Sequence, residues 1–267
     1  MTNDHIPIAK KAEEEMTGAH PARQMMIAHL TMDEFAEALR ANPWVLLPLG
    51  ATEEHGPHLP LGTDLLYAEH VSAAVAARVN GLVAPGLPYG VCRTMRNFPG
   101  TISLSPGTLT LLLREILAEF VRHRARKLAL VAGHAEASQL DAMREAALPL
   151  VNADPSLAIL VIGPYDFLEP IRREANLAGT DGHAGSIETS EMLVVAEPLV
   201  RLDRIPAVTR PRLTRFRVLA RPEVEFPTGV RGDTSKVSRA LGERALRHTV
   251  DEIVQVLQTL DAKGAEW

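Results

Sequence analysis

Between an apolar run, Trp44-Val45-Leu46-Leu47, and an alanine-rich helical pattern that starts at Leu65 lies PLGATEEHGPHLPLGTD, residues 48–64. Gly56, Pro57, Pro60 and Gly62 exclude a regular element from this stretch and stiffen it as a loop. The loop carries Glu53, Glu54, His55, His58 and Asp64. The apolar run before it reads as a buried strand, and loops at the carboxyl ends of strands in open α/β sheets are where ligands bind. Loop charges are commonly just solvated. His55 and Asp64, however, stand among apolar and small residues, where uncompensated charge is costly unless it is paired or metal-bound. Imidazole mixed with carboxylate suits Zn, Mn or Fe better than Ca or Mg. The stretch therefore reads as a metal platform.

The rest of the chain alternates in the same manner. Thr31 is placed to N-cap a helix, with Glu34 as capping-box partner, before Asn42-Pro43 ends it. Helices are expected over 65–79, ended by Gly81; over 109–123, amphipathic and opened by Ser105-Pro106 with Thr108 as an available cap; and over 138–152, 187–197 and 235–261. Short strands are expected at 82–85, 127–132 and 157–162, with 101–105 alternating like an edge strand. Strand, loop and helix in this order imply a mainly parallel sheet covered on both faces. Residues 1–24 read as an N-terminal arm, residues 25–267 as a single α/β domain, and 200–221 as a basic, proline-broken surface excursion.

Composition removes several classes. A net charge of −5 gives no electrostatic case for nucleic acid. No apolar run approaches the roughly 20 residues of a membrane span, and the N-terminus lacks the apolar core of a signal peptide. The one cysteine, Cys92, excludes an intrachain disulfide and fits a reducing compartment. The expected location is cytoplasmic. Cys92 beside Arg93 reads first as packing, with a thiol nucleophile as the alternative.

Three loops carry histidine with carboxylate: 53–64, 134–136 and 183–188. The first two directly follow apolar strands and so open at the same sheet edge; the third can fold back to it. Glu53, His55, Asp64, His134 and Glu136 make a ligand set for two divalent metal ions per chain, with Asp64 able to bridge. His183, not needed as a ligand, is a candidate general acid, because imidazole ordinarily titrates near neutral pH. Glu188 is a candidate to orient it, or a first-turn acid serving the helix end. His58 is expected to hydrogen-bond the ligands rather than bind metal. Arg93 and Arg96, in the long turn-rich loop 86–100, could bind a substrate carboxylate or phosphate, or be ordinary surface arginines.

These motifs resemble the creatininase family. GATEEHGPHLPLGTD is similar to that family's signature G-S-x-E-Q-H-G-P-H-L-P-L-G-T-D, with Glu53, His55 and Asp64 on its metal-ligand positions and Glu54 in place of glutamine. FPGTISLSPGTL and HAGSIETS, the latter with His183 and Glu188, are similar to further family stretches. The resemblance runs from about Met25 to about residue 260. It implies a three-layer α/β/α sandwich, a dinuclear Zn or Mn site (Fe being the alternative metal) and a homo-oligomer, with a hexamer as the expected assembly. Two departures matter. Where many members read N-G-H-G-G-N, this chain reads Ala132-Gly-His134-Ala-Glu136-Ala. The glutamate two residues after the histidine matches creatininase, in which it is a metal ligand, and Glu136 takes that role by resemblance. The tryptophans that creatininase places around its substrate are absent from 165–183, where Tyr165, Phe167 and Leu177 stand. The implied activity is hydrolysis of a small, possibly cyclic, amide C–N bond by a metal-activated hydroxide, with His183, Glu188 and Glu136 as catalytic candidates. Formamide deformylation, peptide-terminus trimming, ketosugar-ring hydrolysis and, outside the family, phosphate-ester hydrolysis are the alternatives.

Overall fold

Runs of valine, leucine and alanine too short for helices, each closed by a turn former, become four parallel strands. They are β1 (Trp44–Leu49), β2 (Leu82–Val83), β3 (Lys127–Ala132) and β4 (Ala158–Ile162), ordered β2-β1-β3-β4. Residues 25–163, 165–206 and 220–263 are described by the computed structural model. The expected arm at 1–24 and the middle of the 200–221 excursion lie outside these residues. The α-helices are α1 (Met32–Arg40), α2 (Thr63–Val79), α3 (Pro106–Arg122), α4 (Ala137–Ala153), α5 (Glu169–Glu174), α6 (Ser186–Val195) and α7 (Arg239–Lys263). Among the described residues, no helix is long and apolar enough to cross a membrane.

Period-2 alternation splits the sheet between two cores. Val45, Leu47, Leu49, Leu128 and Leu130 pack with Leu109, Leu113 and Leu117 of α3 and Ala142, Met143 and Ala146 of α4. Trp44, Leu46, Ala129 and Val131 face Val71 and Val75 of α2 and Leu246, Val250 and Ile253 of α7. The result is the α/β/α sandwich. Trp44 is fully buried, its Nε1 donating to Asp261 Oδ1 at 3.1 Å, so it serves the core and not a ligand.

Several boundaries have local causes. Thr31 and Glu34 form the expected capping box on α1. Helix α3 is capped by Ser105, whose hydroxyl accepts from Thr108 N, and not by Thr108. Asn80, not Gly81, ends α2 by adopting the left-handed conformation at φ 51°. The 101–105 segment is not an edge strand of the sheet. Its ladder bonds go elsewhere: Ile102 N to Thr52 O (2.9 Å) and Leu104 N to Gly90 O (2.8 Å), bracing the 48–64 loop from outside. Helix α5, EPIRRE, was not expected.

What positions the site is the register of β1 against β3. Leu49 pairs with Ala132, so both strands stop at one level, and Gly133 N donates to Leu49 O at 2.7 Å. The chain order turns around β1, since β2 lies on one side of it and β3 on the other, which is where open α/β sheets form a crevice. The first turn of α2 is pressed into that crevice. A Cβ at Gly133 would come within 1.8 Å of the Asp64 carbonyl oxygen, so only glycine lets strand end and helix start approach this closely.

Candidate metal centre

Asp64 begins inside helix α2, not in the loop, and its carboxylate is central. Oδ1 lies 3.1 Å from His55 Nε2, and Oδ2 lies 3.2 Å from His134 Nδ1. Glu53 Oε2 stands 3.1 Å from the same His134 nitrogen. Glu188 Oε1 stands 3.6 Å from His55 Nε2. Each imidazole is oriented from behind by a main-chain carbonyl: His55 Nδ1 donates to Glu53 O (3.1 Å) and His134 Nε2 to Val91 O (3.0 Å). Each ring therefore turns its other nitrogen toward Asp64.

The residues fit a site for divalent metal. Glu53, His55, Asp64 and His134 are all buried. Glu53 Oε2, His55 Nε2 and Asp64 Oδ2 make no hydrogen bond, an arrangement that buried polar atoms tolerate only when something else compensates them. Three groups of donor atoms result among the described residues, Glu53 with Cys92 and His134, Glu53 with His55 and His183, and His55 with Asp64 and Glu188, and Asp64 Oδ2 reaches His134 of the first. The charge balance agrees. Burial alone would lower the His55 imidazole, but Asp64 and Glu188 outweigh it and hold it well above its ordinary value. At His134, burial is likewise outweighed, here by Glu53 and Asp64. Burial raises the Asp64 carboxyl less than His55 and His134 lower it, so it sits well below the usual range. Protons on these imidazoles are what a divalent cation displaces.

Glu188 owes its place to the turn before α6. Ala184 sits at φ 53°, a conformation unusual for a residue with a side chain, and its N–H donates to Glu188 Oε2 at 2.6 Å. The other oxygen faces His55 and also accepts from the Tyr165 hydroxyl at 3.5 Å. The nearest imidazole to Glu188 is thus His55, not His183, which corrects the expectation that Glu188 orients His183. Glu136, expected as a ligand, stands apart from the other candidate ligands. It belongs to none of the donor clusters. Its Oε2 accepts from Arg93 N (2.6 Å) and Thr94 N (3.2 Å), and its Oε1 accepts from Ser138 Oγ (2.7 Å). These donors hold it at the wall of the cavity. His58 Nε2 pairs with Thr189 Oγ1 at 2.9 Å, and burial lowers this imidazole to about 4. It supports α6 rather than the ligands.

A cavity of about 570 Å³ opens over the cluster, lined by Glu53, Asp64, His134, Glu136, His183 and Glu188, with Thr94, Met95, Tyr165, Thr180, Asp181 and Arg231 among the other walls. His183 stacks at a tilt on His55 with centroids 4.3 Å apart. Its Nε2 donates to Glu54 O at 2.9 Å, which leaves Nδ1 facing Glu53 Oε2 at 3.8 Å. Arg93 and Arg96 are exposed and do not line the cavity. The arginine that does is Arg231, over the Phe226 ring at 5.4 Å and tied by its N–H to His183 O at 3.0 Å. Only the surrounding PTGVRGD glycines marked that loop in the sequence. Glu54 was also left out of the expected site; its Oε1 lies 3.4 Å from His183 Nε2. Phe167 packs in the core under α7 and Leu177 in a third cluster, so of the three residues standing where tryptophans were sought, only Tyr165 reaches the cavity.

The chain matches the family model "Creatininase: Creatinine amidohydrolase" over residues 28–257. It is 32% identical over 258 residues to the creatinine amidohydrolase of Pseudomonas putida, covering 89% of this chain and 97% of that protein. It is 31% identical over 258 residues to the mycofactocin precursor peptide peptidase of Mycobacterium ulcerans (strain Agy99), covering 90% and 94%. A crystal structure of creatinine amidohydrolase superposes with a TM-score of 0.82 at 28% identity, covering 88% of this chain and 97% of that one. Other solved creatininases that superpose are described as a manganese form and a Zn-Zn type.

Proposed function

The chain belongs to the creatininase family of hydrolases, and from that premise we propose that it cleaves the C–N bond of a small amide over two divalent cations, Zn or Mn. In this reading Glu53, Asp64 and His134 hold one cation, and His55, Asp64 and Glu188 hold the other. The observation that carries it is Asp64, with one carboxylate oxygen against each of two imidazoles. Cations bound there would polarise the scissile carbonyl and acidify water. The protein's own groups do the rest. The donors on Glu136 keep its carboxylate fixed at the cavity wall, where it accepts a proton from the attacking water. His183, its Nε2–H committed to Glu54 O, first takes up a proton from solvent on Nδ1 and, as the imidazolium, passes that proton to the leaving nitrogen.

The walls favour an amide other than creatinine. Among the described residues no tryptophan lines the cavity, and its volume lies within the range that takes a whole small ligand. A peptide terminus is the second reading, supported by the identity to the peptidase and by Arg231 at the wall, suited to a carboxylate. A panel of cyclic amides, formamides, short peptides and phosphate monoesters, offered to Zn- or Mn-loaded protein, tests both. Turnover confined to phosphate esters would overturn the amide reading.

The ligand assignment has its own test. Glu188→Gln is expected to lower metal content from about two ions per chain toward one. Glu136→Gln should keep both ions and lose turnover by about 10²–10⁴, the scale of a positioned acid–base group. Elemental analysis and turnover on the same preparations decide. The reverse pattern would return Glu136 to the ligand set.

A further inference from the structure

The hydrolytic reading leaves Cys92, the chain's one cysteine, without a task. It is fully buried. Its Sγ, a Glu53 carboxylate oxygen and a His134 ring nitrogen all lie within 4.8 Å of one another. The main chain fixes this arrangement from both sides. Cys92 N donates to Ser103 Oγ at 2.9 Å, and the carbonyl of the preceding Val91 accepts from His134 Nε2 at 3.0 Å. The residue that orients the imidazole is therefore the neighbour of the residue that carries the thiol. A second observation, independent of the thiol, points to a cation here. Glu53 is 1% exposed, and its Oε2 has no hydrogen-bond donor. A buried carboxylate oxygen in that condition calls for positive charge.

We propose that Cys92 is a thiolate donor to the cation held by Glu53, Asp64 and His134. The inference rests on the metal reading above and adds a soft ligand to a set that otherwise offers only oxygen and nitrogen. A thiolate shifts preference toward Zn, Co(II) or Fe(II) and away from Mn, whereas the second pocket, with His55, Asp64 and Glu188, offers no sulfur. The two pockets should therefore differ in metal selectivity. Burial, with the facing Glu53 and Asp64 carboxylates, pushes the thiol up in the absence of metal, against a hydrogen bond from His134. A divalent cation reverses that field and deprotonates a coordinating thiol outright. On binding, the S–H bond breaks, the sulfur–metal bond forms, and one proton leaves to solvent.

Titration of the metal-free full-length protein with Co(II), followed by absorption, tests this. Because the chain has one cysteine, any near-ultraviolet thiolate-to-cobalt charge-transfer band reports Cys92. The expected result is such a band, saturating at one of the two equivalents bound. Cys92→Ser should lose the band, keep both equivalents, and bind Zn at the affected pocket at least about tenfold more weakly, the lower end of what losing even a partner that only orients a ligand costs. Its preference for Zn over Mn should fall accordingly. Visible ligand-field bands without a charge-transfer band in the wild type would overturn the proposal and leave the metal reading intact. No uptake of Co(II) at all would overturn both. The wild-type spectrum decides even if the serine variant does not fold.

Discussion

Asp64→Ala is expected to leave the protein without either cation and without measurable turnover, while His58→Ala keeps both. Among the described residues Asp64 is the only carboxylate whose two oxygens face two different buried imidazoles, at 3.1 and 3.2 Å. Removing it deletes one donor from each pocket at once and leaves His55 and His134 facing single carboxylates, Glu188 and Glu53. The loss of rate should exceed the about 10²–10³ that follows removal of a single transition-state donor, because both cations go with it. His58 lies within the same loop but bonds Thr189 on α6. Its removal costs stability, of order 1–3 kcal/mol for a buried hydroxyl left unpaired, and should leave the metal count alone. Elemental analysis after dialysis, with thermal unfolding on the same samples, separates the two. Equal metal loss in both variants would show that the loop, and not Asp64, holds the ions.

His183→Ala is expected to do the opposite: retain the metals and lose about 10²–10⁴ in rate. His183 meets the cluster through Glu53 Oε2 at 3.8 Å and through ring stacking on His55, but its Nε2 is committed to the Glu54 carbonyl. Glu53 and His55 each have a nearer partner in the cluster, so the ions do not depend on it. The deficit should shrink for amides with good leaving groups, which need less protonation at nitrogen. If metal and activity instead fall together, His183 is a ligand. Activity that tracks only the folded fraction would make it structural.

Much of this arrangement could be read from the chain, and the failures have a common cause. The strands β1 and β3 are continuous apolar runs closed by glycine, so the strands were legible without any tertiary information, although β1 runs past the expected Leu47 to Leu49. Thr31 and Glu34 were legible for the same reason, since a capping box is local. Glu136 was not. Two residues from His134 it looks like a ligand, but the amides that claim its carboxylate come from Arg93 and Thr94, more than forty positions earlier. Glu188 has the complementary difficulty: its neighbour His55 is far away in the sequence, and the Ala184 turn that aims it is a backbone feature with no side-chain signal. The TISLS alternation predicts a strand correctly in period but not in partner, because its hydrogen bonds are taken by Thr52 and Gly90. Local pattern identified the elements and the histidines. Which carboxylate meets which histidine was decided by long-range packing.

The most direct test of the account is the metal content of the unaltered protein, purified in the presence of Zn or Mn and dialysed mildly before elemental analysis. Two pockets sharing Asp64 predict a ratio close to two ions per chain, falling to near zero in Asp64→Ala. A ratio that stays at one or below under metal-replete conditions would contradict the paired site, and with it the assignment of Glu188 opposite His55.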